Sequence, residues 1–321
     1  MKVAITDLFP DHWRSSIDAV VPPGWNPVVA QGATEEERAR LVTGAEILLC
    51  GSAAPTDQMI RDAPGLRFLQ KLGAGYDNVN LDLCRDRGIT VARLNGNNSV
   101  AVAEHTVLLM LSVLRRLPYI DARVRQGEWS KQLARSNNRE LRGKTVGLIG
   151  FGRIGREVAR RLSGFEVSVV YHDPAPASPE DEQRLGVRPV GLDELIGQSD
   201  IVCLHLPLTA QSRHLLSAGR IAAMKPGAVL VNCSRGELVD EAALVNALES
   251  GHLGGAGLDC VTNERPGGPG SLAKFENVTL TCHIAGVSEE NFVSMMARAF
   301  SNAVTFAEGR PLPADDIVLI P

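Results

Sequence analysis

Residues 146–162, VGLIGFGRIGREVARRL, decide the fold of this chain of 321 residues. An apolar run ends in the pattern Gly150-x-Gly152-x-x-Gly155, and apolar residues at helical spacing follow immediately. A second apolar run then leads to Asp173, which lies 18 residues after Gly155. This order of strand, glycine turn, helix, strand and acidic residue is typical of a dinucleotide-binding βαβ unit. The alternative is a glycine-rich turn in an ordinary α/β protein.

Each glycine of this pattern has a physical role. Gly150 permits the tight turn, Gly152 lets a pyrophosphate approach the backbone, and Gly155 lets the helix pack closely on the strand. The start of the helix offers free N–H groups and the positive end of its dipole to the phosphates. Asp173 is expected to accept hydrogen bonds from the ribose 2′-hydroxyl. Because no Lys or Arg lies between it and Glu180, we predict NAD in preference to NADP as the cofactor.

The composition favours a soluble protein and excludes several other classes. The formal net charge is −4, so nothing indicates a nucleic-acid partner or an anionic membrane surface. No apolar run approaches the roughly 18 residues that a membrane span needs. The N-terminal sequence MKVAITDLF predicts a strand and not a signal peptide. The six cysteines form no CxxC pair, so we expect a cytoplasmic protein with reduced cysteines and no metal site.

Alternating apolar and polar segments predict two α/β domains, each built on a parallel sheet. In the N-terminal part, strands are predicted at residues 3–6, 47–50, 68–72 and 89–92. Residues 99–116 predict a buried helix that bridges the two domains, with Ser99 as its N-cap and Pro118 beyond its end. Further strands are predicted at residues 146–149, 167–171, 201–206, 228–232, 257–260 and 278–282. A last helix, over residues 288–308, is predicted to pack back on the first domain.

Three charged side chains follow the last three of these predicted strands. Arg235 and Glu264 lie in the loops after the first two, and His283 comes directly after the third. Because ligands of an open parallel sheet lie beyond the carboxyl ends of its strands, we expect the three to meet beside a nicotinamide. Taken singly, they are also compatible with a solvated turn charge, an ordinary loop carboxylate and a capping or core histidine. Cys282 is excluded as a nucleophile, since neighbours on a strand point to opposite faces.

Beyond the glycine turn, several short segments stand in a recognisable order. They are LGAGYDNV (72–79), AVAEHT (101–106), GFGRIG (150–155), HLPLT (205–209), NCSRGELVD (232–240), GLD (257–259) and HIA (283–285). In these segments the chain resembles the D-isomer-specific 2-hydroxyacid dehydrogenases over nearly its whole length. The resemblance implies a flavodoxin-like substrate domain, residues 1–98 plus 287–321, into which a Rossmann NAD-binding domain, residues 99–286, is inserted. It also implies a homodimer built through the NAD-binding domain.

The resemblance implies a role for each charged side chain. Arg235 would clamp the substrate carboxylate, since a planar guanidinium suits a bidentate contact. His283 would give the proton in reduction and take it in oxidation, and Glu264 would favour its protonated form. The carboxylate would also meet the backbone of Gly73, Ala74 and Gly75. Further cofactor contacts are implied for Arg153, Ile154, Leu206, Pro207, Ser212, Cys233, Ser234 and Asp259.

The chain departs from the family pattern near the catalytic residues. The family usually has Pro directly after the Glu and directly before the His, where this chain has Arg265 and Cys282. Gly286 and Val287 follow where a small residue and an aromatic are common. These departures concern the shape of the substrate pocket and leave the catalytic triad intact.

The substrate predicted from these residues is a small unphosphorylated 2-oxo or 2-hydroxy acid, with glyoxylate or hydroxypyruvate favoured. Relatives that act on phosphoglycerate generally carry an Arg where this chain has Gly51, and the nearest cation in sequence is Lys71. Two alternatives stay open: a 3-phosphoglycerate dehydrogenase-like enzyme, and a nucleotide-gated, corepressor-like binding protein without turnover. An amino-acid dehydrogenase with a Rossmann domain would lack the order Arg, Glu, His.

Overall fold

The computed structural model describes residues 1–135, 137–264 and 268–321. Arg265, where the sequence departs from the family pattern, lies outside the described residues. The chain divides into two compact units. Unit 1 comprises Met1–Asn98 and Val287–Pro321, and unit 2 comprises Ser99–Gly286.

Helices and strands alternate along most of the chain. The N-terminal part of unit 1 contains β1 (Lys2–Ile5), α1 (Asp11–Asp18), β2 (Asn26–Val29), α2 (Glu35–Thr43), β3 (Ile47–Cys50), α3 (Asp57–Arg61), β4 (Phe68–Lys71), α4 (Leu81–Asp86) and β5 (Thr90–Ala92). Unit 2 contains α5 (Ser99–Arg115), α6 (Leu117–Arg125), α7 (Gln132–Arg135), β6 (Thr145–Ile149), α8 (Arg153–Leu162), β7 (Ser168–His172), α9 (Pro179–Leu185), β8 (Val187–Pro189), α10 (Leu192–Gln198), β9 (Ile201–Leu204), α11 (Ala218–Ala223), β10 (Val229–Asn232), α12 (Glu241–Glu249), β11 (Gly255–Leu258) and β12 (Val278–Leu280). Unit 1 then resumes with α13 (Glu289–Ala307) and β13 (Ile317–Leu319). None of the helices in the described ranges has both the length and the apolar character to cross a membrane.

Unit 1 is built on a six-stranded sheet in the order β13-β5-β4-β3-β1-β2. Strands β1 to β5 are parallel, and β13 pairs with β5 in the antiparallel direction. The parallel strands have the flavodoxin-like order, which confirms the predicted topology. The antiparallel edge strand was not predicted. Helix α13 packs against α1 and β4 of this unit.

Unit 2 is built on a parallel seven-stranded sheet in the order β12-β11-β10-β9-β6-β7-β8. This is the predicted Rossmann order, with the nucleotide-binding crevice expected between β6 and β9, where the strand order reverses. Strand β6 is buried on both faces, as parallel strands between two helical layers are. Val146 and Leu148 face one core, whereas Gly147 faces α10, where a Cβ would lie 2.3 Å from the Ser199 hydroxyl.

Helix α5 differs from its prediction at its start, and a second helix that was not predicted follows its end. Ser99 is the first residue of α5 itself and not its N-cap, so the predicted cap is wrong. At the other end, Arg116 takes a left-handed φ of 50° and Pro118 lies in the first turn of a second helix, α6. Proline fits that position because the first N–H groups of a helix need no partner within it. Pro118 therefore starts a helix and does not merely follow one.

Three strands that lead to the expected site end earlier than predicted. The predicted ends were residues 206, 260 and 282, whereas β9, β11 and β12 end at Leu204, Leu258 and Leu280. Cys282 therefore lies in a loop, with its side chain exposed. The argument that excluded it as a strand neighbour of His283 does not hold.

Candidate active site

The glycine turn between β6 and α8 is fixed by close backbone packing. Gly150 has a φ of +95°, and a Cβ there would lie 2.2 Å from the carbonyl oxygen of His205. A Cβ at Gly155 would lie 2.4 Å from the carbonyl oxygen of Gly150. Nothing lies within 4 Å of a Cβ built on Gly152, the exposed N-cap residue of α8. The turn is therefore closed at two glycines and open at the third, which fits a pyrophosphate that approaches the start of a helix.

Two side chains at the start of α8 have different surroundings. Arg153, the first residue of the helix, is exposed. Ile154 is partly buried and packs against the core formed by α5, α8 and the sheet. The Arg153 side chain is therefore exposed to solvent, whereas the Ile154 side chain is partly covered by the core.

Asp173 directly follows β7 and is bonded to the glycine turn. Its Oδ2 accepts a hydrogen bond of 2.7 Å from the N–H of Phe151, and its Oδ1 accepts one of 2.8 Å from the N–H of Ala175. Each carboxylate oxygen accepts more than one hydrogen bond. The residue therefore both orients the turn and keeps capacity for a ribose hydroxyl.

His205, which follows β9, is a residue that sequence reasoning missed. Both of its ring nitrogens are buried, and neither has a hydrogen-bond partner within the described part of the chain. Burial lowers the pKa of this imidazole to about 4, so the ring is neutral at physiological pH. Unpaired buried nitrogens beside the turn at Gly150 suit a site where a bound ligand supplies the missing polar partner. The segment HLPLT carried the signal, since a polar residue there interrupts an apolar run.

The loop after His205 contains three residues predicted to bind the cofactor. Leu206 packs partly against the core, and Pro207 is exposed. The Ser212 hydroxyl donates to the Pro207 carbonyl at 2.8 Å and accepts from the Thr209 N–H at 2.8 Å. The Ser212 hydroxyl therefore bonds to the backbone of its own loop and closes that loop.

The loop after β10 holds Arg235 through its backbone. The Asn232 side chain accepts from the Ser234 N–H at 2.9 Å and donates to the Arg235 carbonyl at 2.8 Å. The Ser234 hydroxyl donates to the Leu204 carbonyl on the neighbouring strand at 2.7 Å. Arg235 itself is half-buried, and one guanidinium nitrogen donates to the Ser234 carbonyl at 2.8 Å. Burial raises the pKa of the adjacent Cys233 thiol to about 12, so this cysteine stays protonated.

Gly236 explains how this loop meets the next one. A Cβ at this position would lie 2.1 Å from the carbonyl carbon of Val261, in the loop that follows β11 and carries Glu264. Only glycine permits such a close approach of two backbones. Gly236 therefore brings Arg235 next to the Glu264 loop, a role that its place in the sequence did not reveal.

Asp259, at the end of β11, anchors the turn that carries His283. Its Oδ1 accepts from the Ile284 N–H at 2.9 Å and from the Thr281 hydroxyl at 2.6 Å, and its Oδ2 accepts from the Ala285 N–H at 2.9 Å. Its carbonyl accepts from the His283 N–H at 2.8 Å. Asp259 is only 2% exposed, so these bonds are made in a largely dry environment. Asp259, which the sequence predicted as a cofactor residue, therefore also anchors the turn that carries His283.

His283 and Glu264 form the pair expected between them. The His283 Nδ1 lies 2.8 Å from the Glu264 Oε2, and both side chains are more than a third exposed. His283 has a left-handed φ of 58°, which costs a non-glycine residue about 1 kcal/mol or more. The Asp259 bonds offset that cost and hold the turn, which leaves the Nε2 edge of the ring for a substrate.

In unit 1, the predicted carboxylate-binding loop follows β4. Gly73, Ala74 and Gly75 are partly exposed, and the Gly73 carbonyl accepts from the Leu94 N–H at 3.0 Å. Lys71, at the end of β4, is 3% exposed. Its Nζ donates to the Gly51 carbonyl and, at 2.9 Å, to the Asn78 side chain. This lysine therefore bonds to the loop after β3 and to Asn78 in the loop after β4.

The position where phosphoglycerate-binding relatives carry an Arg is closed by an acidic side chain. Asp7 accepts hydrogen bonds from the N–H groups of Gly51 and Ala53. A Cβ at Gly51 would lie 3.0 Å from the Asp7 Oδ1. A carboxylate beside this backbone disfavours a second anion there.

Comparisons with known proteins bear on this arrangement. A family model described as "D-isomer specific 2-hydroxyacid dehydrogenase, NAD binding domain" matches residues 107–285. D-3-phosphoglycerate dehydrogenase from Archaeoglobus fulgidus is 34% identical over 97% of this chain, which spans only 58% of that relative. Glyoxylate reductase from Thermofilum pendens is 35% identical over 98% of this chain and 93% of its own length. The solved structure of NAD-dependent formate dehydrogenase from Staphylococcus aureus in complex with NAD superposes with a TM-score of 0.87 at 27% identity, covering 99% of each chain.

Proposed function

Because the chain belongs to the NAD-binding D-isomer-specific 2-hydroxyacid dehydrogenases, we propose that it reduces small unphosphorylated 2-oxo acids with NADH and catalyses the reverse oxidation. Glyoxylate and hydroxypyruvate are the favoured substrates. The observation that carries the proposal is the 2.8 Å pair of His283 and Glu264 on a turn that Asp259 anchors. It supplies a proton donor beside the loop that holds Arg235.

The reaction needs a hydride, a proton and a fixed carbonyl. The reduced nicotinamide supplies the hydride when it is bound. Arg235 binds the substrate carboxylate through its planar guanidinium and so fixes the 2-oxo group. His283 donates a proton from Nε2 to the carbonyl oxygen as charge develops there, and it accepts that proton in the oxidation. Glu264 receives the Nδ1–H and stabilises the imidazolium.

Residues of unit 2 support the preference for NAD. Gly152 leaves open space at the start of α8, and Asp173 presents a carboxylate beside the glycine turn. A 2′-phosphate would meet that negative charge, whereas a 2′-hydroxyl would donate to it. The unpaired ring nitrogens of His205 add polar groups that a bound cofactor would satisfy.

Residues of unit 1 support an unphosphorylated substrate. A phosphate group needs several charged donors to offset the loss of its hydration. Lys71 is buried and bonded to Gly51 and Asn78, and Asp7 occupies the neighbouring backbone donors. The substrate of a 3-phosphoglycerate dehydrogenase-like enzyme would find no such set of donors at this position.

The proposal extends to the assembly and to the compartment. A homodimer through unit 2 would cover Val100, Leu108 and Leu117, each more than half exposed, and Trp129, which is 90% exposed. Covering apolar side chains of this size stabilises association by about 25 cal/mol per Å². Sedimentation of the wild type and of Trp129→Ala tests this, with a shift toward monomer expected for the variant.

All six cysteines are free thiols, which fits a reducing cytoplasm.

The direct test of the proposed function is NADH absorbance during incubation with glyoxylate or hydroxypyruvate, with and without ammonia. NADH oxidation that does not need ammonia supports the proposal. Oxidation that requires ammonia would indicate an amino-acid dehydrogenase. NADH binding without turnover of any 2-oxo acid would indicate a corepressor-like protein.

A further inference from the structure

Cys260 lies beside the catalytic pair and has no part in the proposed reaction. Ligand atoms of Cys260, Glu264 and His283 all lie within 4.8 Å of one another. We call these three residues the Cys260 cluster. Within the described ranges, no other group of three His, Cys, Asp or Glu side chains is gathered in this way.

The three side chains differ in exposure, so the cluster has one buried side and one exposed side. Cys260 is 2% exposed, whereas the His283 and Glu264 side chains are 36% and 40% exposed. A metal ion can therefore enter between the exposed imidazole and carboxylate and meet the sulfur below them. The exposed side of the cluster offers a position for a fourth ligand from solvent, as in zinc sites with three protein ligands and one open position.

The chemistry of the ligand set selects among cations. A thiolate, an imidazole and a carboxylate together suit Zn²⁺, whereas Mg²⁺ and Ca²⁺ prefer oxygen ligands alone. With Zn–S of about 2.3 Å and Zn–N and Zn–O of about 2.1 Å, tetrahedral ligand atoms lie about 3.4–3.6 Å apart. The cluster reaches that spacing if its two exposed side chains move by about an ångström.

Metal binding must replace the bonds that the cluster makes without an ion. The Cys260 Sγ donates to the Ser234 carbonyl at 3.2 Å, and the His283 Nδ1 bonds to Glu264. Burial raises the pKa of the Cys260 thiol well above its usual range, the charges of Asp259 and Glu264 raise it further, and the charge of Arg235 lowers it. The ion therefore displaces the thiol proton, which leaves to solvent as the sulfur–metal bond forms.

We propose that the Cys260 cluster is a binding site for Zn²⁺ and that zinc there reversibly inhibits the enzyme. The ion takes a ring nitrogen of His283 and a carboxylate oxygen of Glu264, so the proton donor and its partner are both withdrawn from the reaction. Zinc binding itself does not depend on the proposed function, but its inhibitory effect rests on that function. The two parts are therefore measured separately.

Binding is measured on the full chain after metal has been removed with a chelator. Calorimetric titration with Zn²⁺ should give one site per chain, and Co²⁺ should produce a sulfur-to-metal charge-transfer band. In Cys260→Ser, and in Cys260→Ala as a second variant, the band should disappear. Zn²⁺ affinity should fall by at least roughly 10- to 100-fold, since even residues that only orient metal ligands have effects of that size.

Cys282→Ala, which removes the exposed thiol next to His283, should keep both signals. Equal zinc affinity in the Cys260 variants and the wild type would overturn the proposal, as would loss of the cobalt band in Cys282→Ala alone.

Inhibition is measured by NADH oxidation with hydroxypyruvate at increasing Zn²⁺. The wild type should lose activity with zinc and regain it with chelator, and Mg²⁺ at the same concentrations should have no effect. Cys260→Ser should keep its activity without metal and need about tenfold or more zinc for the same inhibition. Zinc inhibition that is unchanged in this variant would contradict the inhibitory role. If no 2-oxo acid is turned over, the proposed function fails and the binding titrations still decide the zinc site.

Discussion

The glycine turn after β6 and the loops after β10, β11 and β12 lie at the same edge of the unit 2 sheet, but they are built differently. The glycine turn is mostly local, because Gly155 packs against the Gly150 carbonyl within one strand–turn–helix segment, and only Gly150 also lies against the His205 carbonyl after β9. The catalytic loops are not local, since Arg235 and His283 are 48 positions apart and come from separate loops. The glycine turn depends on missing side chains, whereas the loops that carry Arg235 and His283 depend on hydrogen bonds from Asp259 and on the close backbone approach at Gly236.

This difference determines which substitutions disturb each region. In the glycine turn, an added methyl group strikes backbone that cannot move away. In the catalytic loops, the position of His283 depends on bonds from Asp259, and the approach of the Arg235 loop depends on Gly236. Substitutions in the first region should therefore act on folding and cofactor binding, and substitutions in the second should act on turnover.

The largest effect is expected from His283→Ala. Removing the proton donor should lower kcat in reduction by roughly 10²–10⁴-fold and leave the Kd for NADH nearly unchanged. Stopped-flow or steady-state kinetics together with NADH fluorescence titration measure both quantities. Cys282→Ala, at the exposed neighbouring position, is the matched control and should retain near-normal turnover. Near-normal turnover in His283→Ala would show that the assigned proton donor is wrong.

Asp259→Asn should give the next largest effect and separates two roles of this residue. An amide cannot accept at both of its side-chain atoms, so one buried N–H or hydroxyl of the His283 turn loses its partner, at a cost of about 1–3 kcal/mol. We expect kcat to fall by about 10- to 100-fold with little change in the Kd for NADH. A loss confined to NADH affinity would mean that Asp259 acts as a cofactor ligand, as the sequence alone predicted.

A pair of glycine substitutions tests the local region. Gly155→Ala places a methyl group against the Gly150 carbonyl and should lower the free energy of unfolding by about 1–3 kcal/mol. Gly152→Ala meets open space at an ordinary φ of −75°, so stability should stay within about 0.5 kcal/mol of the wild type while NADH affinity falls. Denaturant unfolding and NADH titration measure the two effects. Equal stability of the two variants would refute the packing argument.

The smallest effect is expected at Asp173. In Asp173→Ser the carboxylate that disfavours a 2′-phosphate is gone, so the ratio of kcat/KM for NADH over NADPH should fall by about tenfold. Because Asp173 also accepts from the Phe151 N–H, some loss of NADH affinity should accompany the change. A wild-type enzyme that prefers NADPH would contradict the assigned role.

The sequence alone was sufficient to predict those elements whose burial or backbone geometry leaves a pattern of apolar residues or glycines. Strand β6, the glycine turn and the strands around them were found because both faces of a parallel sheet are apolar. Several of the elements that were missed bury few side chains or none. Helices α6, α7 and α9 have no buried residue, and β2 and β8 are edge strands that contain Pro27 and Pro189. Proline and exposure are typical of sheet edges and remove the apolar run that marks a strand.

The proposed catalytic residues could be named from sequence, but the contacts that hold them in place could not. Arg235, Glu264 and His283 stand out as charges after successive strands. The roles of Gly236 and Asp259 depend on contacts between separate loops, and the unpaired nitrogens of His205 appear only in the folded chain. The same holds for Cys260, whose distance from His283 along the chain hides their proximity in space.

The central claim is that this active site reduces an unphosphorylated 2-oxo acid. The most direct test compares kcat/KM for hydroxypyruvate and 3-phosphohydroxypyruvate with NADH under one set of conditions. Lys71 is bonded to Gly51 and Asn78, and Asp7 lies beside Gly51, so these described groups of unit 1 would not offset the desolvation of a phosphate. We predict a preference for hydroxypyruvate of about tenfold or more, equivalent to about 1.4 kcal/mol or more. A clear preference for 3-phosphohydroxypyruvate would contradict the account.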